Sequence, residues 1–130
     1  MARILVVDDE RDVATMLKFM LEKDGHSVET AHNGLEALGA LGLEPVDASK
    51  PLPDLAILDV MMPELDGYAV CTRMYENPRT KTVPVLMLTA KGGIRELQHQ
   101  MSPNVAAHVD KPFDPRALRE LVAGLMGGHH

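Results

Sequence analysis

Cysteine is nearly missing from this sequence. A single residue, Cys71, in 130 positions excludes an internal disulfide framework and points to a reducing compartment. A basic excess is missing too. Thirteen Lys and Arg stand against nineteen Asp and Glu, a formal charge of −6, which argues against direct nucleic-acid binding, since such binders concentrate Lys and Arg on one face. No apolar run approaches the ~18 residues of a membrane span, and "MARILVVDDE" turns acidic after too few apolar residues for a signal peptide. The cytoplasm is therefore the expected location. Six histidines are present, two of them terminal and the rest scattered without metal-ligand spacing. The closing "GGHH" reads as a tag remnant, so residues 127–130 stand outside the expected single domain of residues 1–126. With 45% apolar residues, a chain of this length can bury one core.

What is present is an alternation. Ile4 to Val7 is a compact strand-like run, and Val13, Met16, Leu17, Met20 and Leu21 then recur at helical spacing. "HSVETA" and "LAIL" read as strands, "PVLML" and "VAAHV" as two more. Between them fall helical stretches: "NGLEALGAL" after an Asn-Gly turn, Tyr68 to Glu76, and residues 94–101 between Gly92-Gly93 and Pro103. A last helix opens at Asp114-Pro115. Five strands alternating with five helices predict a parallel α/β sheet covered on both faces. Ligands of such sheets bind beyond the carboxyl ends of the strands.

Those ends carry the chemistry. The first strand finishes in Asp8-Asp9, the third in Asp59, the fourth in Thr89, and Lys111 follows the fifth. Clustered carboxylates resist ionising together unless a cation joins them. An all-oxygen donor set suits Mg²⁺ better than zinc. A carboxylate can also act as nucleophile toward phosphorus. In that chemistry Lys111 would contact one phosphoryl oxygen, and the Thr89 hydroxyl with a backbone N–H near Ala90 another. The plain alternatives are that Asp8 or Asp9 caps the following helix, that Thr89 is an ordinary β-branched strand residue, and that Lys111 is a solvated surface group; one of the two aspartates is expected to cap the helix and serve the site as well.

"ILVVDDE", "LDVMMPELDG", "LTA" and "DKPF", in this order, resemble the receiver domain of bacterial two-component response regulators over residues 3 to 126. The resemblance implies a flavodoxin-like doubly wound sheet of order 2-1-3-4-5. It implies that Asp59 accepts a phosphoryl group from a phosphohistidine on a sensor histidine kinase or phosphotransfer protein. It implies Mg²⁺ held by Asp9, Asp59 and the backbone carbonyl of Met61, with Asp8 acting through water, and a cis Lys111-Pro112 bond. Thr89 and the residue three before Lys111, here His108 in place of an aromatic phenyl ring, are the expected switch pair. The 94–122 face is the expected output surface, toward a downstream protein or a fused output domain, and a homodimer through it is compatible with the resemblance. Lys91 and Met61 are expected to govern water access to the phosphoryl group. A haloacid-dehalogenase-like phosphatase would want a second Asp at position 61, where Met stands. A receiver-like module that is never phosphorylated would show gaps among the acidic, acceptor and Lys positions.

Overall fold

The computed structural model describes residues 2–90 and 102–127. The expected helix over 94–101, with Lys91, lies outside the described residues. The elements run β1 (Arg3–Val7), α1 (Arg11–Lys23), β2 (Ser27–Ala31), α2 (Gly34–Ala40), β3 (Leu55–Asp59), α3 (Gly67–Glu76), β4 (Val85–Ala90), β5 (Val105–Lys111) and α4 (Pro115–Leu125). The five strands form one parallel sheet in the order β2-β1-β3-β4-β5. This is the flavodoxin-like arrangement, with the direction of winding reversing between β1 and β3.

Two apolar layers fix the sheet between its helices. Alternate residues of the central strands, Leu5, Val7, Ala56, Leu58, Val85 and Met87, pack with α2 and α3 through Leu38, Val70 and Met74. Their neighbours Ile4, Val6, Ile57, Leu86 and Leu88 pack on the other face with Leu17 and Leu21 of α1 and Leu118 and Val122 of α4. Burial on both sides explains why β3 reads as an unbroken apolar run ending in Asp59, every residue of it buried. Among the described residues no helix is long and apolar enough to cross a membrane.

Local signals set where the helices begin. Asn33 Oδ1 accepts from the Glu36 N–H at 2.8 Å while Glu36 Oε1 accepts from the His32 N–H at 2.8 Å, a reciprocal pair that opens α2. Asp66 caps α3 through the Ala69 N–H, and Asp114, with Pro115 in the first turn, caps α4 through the Arg116 N–H. The proline-rich connection of residues 44–53 enters β3 at its amino end, away from Asp59. It is tied to the helix side by Arg73 on Glu44 and by Arg79 on the carbonyls of Ala48 and Lys50.

Candidate functional site

Four strand ends converge at one rim because the strands are parallel and the side-chain alternation brings their last residues to it. Asp8 follows β1 and is held by its own N–H donating to Ala31 O of β2. Asp59 closes β3 in register with Leu88. One carboxylate oxygen from each of Asp8, Asp9 and Asp59 lies within 4.8 Å of the others. Asp8 is fully buried and Asp59 only 3% exposed, whereas Asp9 faces solvent.

Lys111 is the cation that answers this charge. Its Nζ stands 2.8 Å from Asp8 Oδ2, 3.1 Å from Glu10 Oε1 and 3.5 Å from Asp59 Oδ2. Burial alone would depress its pKa; the hydrogen bonds to Asp8 and Glu10 and the charge of Asp59 outweigh that and hold it above the usual lysine range. Asp59 moves the opposite way from an ordinary carboxylate. Burial first, then the charge of Asp8, pushes it up to about 7, against the pull of Lys111 and of the Met61 N–H, which donates to Asp59 Oδ1 at 3.1 Å. Among the described residues one ammonium faces Asp8, Asp9, Glu10 and Asp59, a charge balance compatible with a further cation. The donor set is all oxygen, two of its three carboxylates are buried, and their spacing lets one ion reach all three, which suits a hard ion such as Mg²⁺.

Gly67 permits the approach of α3 to this rim. A Cβ there would meet the Asp59 carbonyl oxygen at 2.5 Å, and its N–H donates to Val60 O. The "LDG" of the sequence is thus a backbone contact beneath the acidic cluster. Above it opens a cleft of about 730 Å³, lined by Asp59, Lys111, Val13, Met16, Met61 and Phe113.

The remaining expected residues fall as follows. Thr89 is 2% exposed, and its hydroxyl donates to Asp110 Oδ1 at 3.0 Å. Ala90 pairs with Lys111 in the β4–β5 register. His108 pairs with Met87, is half-buried, and has its pKa lowered by that burial against the opposing charge of Asp110. Met61 is 67% exposed at the rim, and the Lys111-Pro112 bond is cis. One expectation is corrected: neither Asp8 nor Asp9 caps α1. Glu10 occupies that position with no side-chain cap, because Asp8 turns inward, accepting from the Glu10 N–H and from Lys111. Two participants escaped sequence reasoning, Glu10 on Lys111 and Asp110 on Thr89. Their only signal was adjacency to "DD" and to "KPF".

The fold is a doubly wound parallel α/β sheet whose carboxyl edge gathers three carboxylates, a lysine and a hydroxyl, at the end of the sheet where ligands of such folds bind. The chain belongs to the response regulator receiver domain family, whose profile matches residues 4–123. It is 38% identical over 126 residues to the alkaline phosphatase synthesis transcriptional regulatory protein PhoP of Bacillus subtilis, covering 95% of this chain and 48% of that protein. The chain thus spans about half the length of such curated relatives. A putative response regulator from Chloroflexus aurantiacus matches with TM-score 0.83 and 37% identity, over 97% of this chain and 98% of the other. The receiver domain of the Pseudomonas aeruginosa sensor histidine kinase PA1611, with a magnesium ion coordinated in its active site cleft, matches with TM-score 0.82 and 25% identity, over 97% and 98%.

Proposed function

We propose that this receiver domain takes a phosphoryl group onto Asp59 from the phosphohistidine of a sensor histidine kinase or phosphotransfer protein, with Mg²⁺, and that the modification switches its binding surface. The observation that carries this reading is Asp59 itself, a buried carboxylate beside Asp8 and Asp9 with the Lys111 ammonium 3.5 Å away. Asp9 and Asp59 would hold the ion with the Met61 carbonyl, and Asp8 through water. Bound there, Mg²⁺ supplies charge neutralisation to the phosphoryl oxygens.

The chain's own residues do the rest. An Asp59 oxygen attacks phosphorus in line, a P–O bond forms as the P–N bond to the donor imidazole breaks, and the electron pair leaves on the imidazole nitrogen. Little covalent work falls to the protein, so placement and neutralisation dominate. The rigid end of β3 holds the nucleophile, while Lys111 shifts from Glu10 and Asp8 toward a phosphoryl oxygen. The Thr89 hydroxyl and the Ala90 backbone N–H take another. The cleft beside Asp59, apolar along Val13, Met16 and Phe113, admits the donor, and Met61 at its mouth governs water access. His108 then fills space on the side that Thr89 vacates, and the face carried by β5 and α4 presents the change to a downstream protein or a fused output domain. The unit is a signalling module of residues 1–126 that catalyses only its own modification and loss of the group.

Intact mass after incubation with acetyl phosphate and Mg²⁺ tests the reading. One added phosphoryl group, absent in Asp59→Asn and after chelation, is expected. No addition contradicts it, and turnover of free phosphoesters assigns the chain to phosphatase chemistry instead.

A further inference from the structure

Thr89 stands between two carboxylates. Its strand, β4, lies between β3, which ends in Asp59, and β5, which carries Asp110. The register pairs Thr89 with Asp110 directly, and the hydroxyl donates to Asp110 Oδ1 at 3.0 Å. A hydroxyl has one hydrogen, and an ionised carboxylate only accepts, so the direction of this bond is fixed. While Thr89 donates to Asp110, it has no hydrogen for an oxygen on the Asp59 side. Moving from one strand to the other is a change of staggered rotamer at a β-branched residue, a discrete step.

We infer that Asp110 is a latch: a positioning residue that holds the Thr89 hydroxyl on the β5 side in the unmodified protein and so sets how readily Thr89 crosses to the phosphoryl group. The inference rests on the reading of Asp59 as phosphoacceptor. Hydrogen bonds to a charged acceptor are the stronger kind. Asp110 is exposed, however, so water competes for it and the latch is moderate. That is what a reversible switch requires, since a bond as strong as a buried one would keep Thr89 from crossing at all. The position immediately before Lys111 thereby acquires a role of its own: it tunes the hydroxyl, and Lys111 serves the anion.

The test uses Asp110→Ala and Asp110→Asn, each alone and combined with Thr89→Val. Asp110 is on the exposed rim, and Asn preserves its shape, so folding is retained in at least the conservative variant. Two readouts are taken: the Thr89 side-chain rotamer by NMR without any phosphodonor, and the initial rate of phosphoryl uptake from acetyl phosphate and Mg²⁺ by intact mass. The native chain shows one Thr89 rotamer. Asp110→Ala releases it to averaging and raises the uptake rate about five-fold, equivalent to about 1 kcal/mol, the net worth of one hydrogen bond. Asp110→Asn, which keeps a weaker neutral acceptor, falls between the two. In the Thr89→Val background the Asp110 substitutions change nothing, which separates the latch from a general effect of charge near the site. An unchanged Thr89 rotamer with equal uptake rates overturns the inference, and so does an acceleration that persists in the Thr89→Val background. A native chain that takes up no phosphoryl group defeats the acceptor reading and the latch together, a result told apart from failure of the latch alone by the native mass.

Discussion

Replacing Asp59 with Asn should make the cation-free protein more stable. Asp59 is buried next to the charge of Asp8 and its pKa is pushed up from 3.8 to about 7. At about 1.4 kcal/mol per pKa unit, ionising it costs the folded chain about 4 kcal/mol more than the unfolded one. Solvent on the Asp9 side screens part of this, which leaves about 2 kcal/mol. Asn keeps an oxygen for the Met61 N–H and carries no charge. For 130 residues the gain corresponds to a rise in Tm of about 7 °C. The sign of the pH dependence follows from the direction of the shift. The folded-state pKa lies above the unfolded one, so between the two values the folded chain holds more protons. Native stability therefore falls as pH rises from about 4 to about 7 and is level above that, as far as Asp59 is concerned. All other ionisable groups are common to both proteins, so the difference between native and variant isolates Asp59. Urea unfolding in the presence of chelator at pH 5 and pH 8 measures it. The gap should be clearly smaller at the lower pH, which already lies above the unfolded value, and widest at the higher. Adding Mg²⁺ should stabilise the native chain and not the variant. A variant less stable than the native chain at pH 8, or a gap independent of pH, refutes the electrostatic account of Asp59.

Other consequences follow from the same contacts. Lys111→Ala leaves fully buried Asp8 without its 2.8 Å partner and should cost about 3 kcal/mol in chelator; denaturant titration with and without Mg²⁺ should show the loss shrinking when the ion is supplied. Gly67→Ala drives a methyl group to 2.5 Å from the Asp59 carbonyl and should cost about 1–3 kcal/mol, read by thermal unfolding. Cys71 is buried, burial pushes its thiol pKa up, and its sulfur lies against Ser102 and Asn104. A disulfide reagent should therefore react with it only as fast as the chain unfolds.

The sheet was legible because its physics is local. Ile4 to Val7 and Leu55 to Leu58 are buried on both sides, and that requirement writes an unbroken apolar run into the sequence. A carboxylate at the end of such a run, Asp59, can only be at a strand end, and parallel strands bring the ends together. The helix starts at Asn33 and Asp114 act over two or three residues and are visible in the same way. The ion-pair network was not legible. Lys111 meets Asp8 across 103 positions and Glu10 across 101, and which acidic group it chooses depends on distances that residue order does not encode. The mistaken cap at α1 has the same origin: Asp8 and Asp9 have the chemistry of caps, but Lys111 and the Glu10 N–H offered Asp8 better partners. The Thr89–Asp110 bond required the β4–β5 register, which shifts between Val85 and Leu86. No count along the two strands would have paired them.

The central claim is that the crowded acidic edge readies one particular carboxylate, Asp59, for phosphoryl transfer. An acyl phosphate is reduced by borohydride to an alcohol, so an aspartyl phosphate leaves homoserine in its place. Peptide sequencing by mass spectrometry after phosphorylation and reduction should find homoserine at position 59, with Asp8, Asp9 and Asp110 intact. Homoserine at any of those three with position 59 still aspartate would contradict the account.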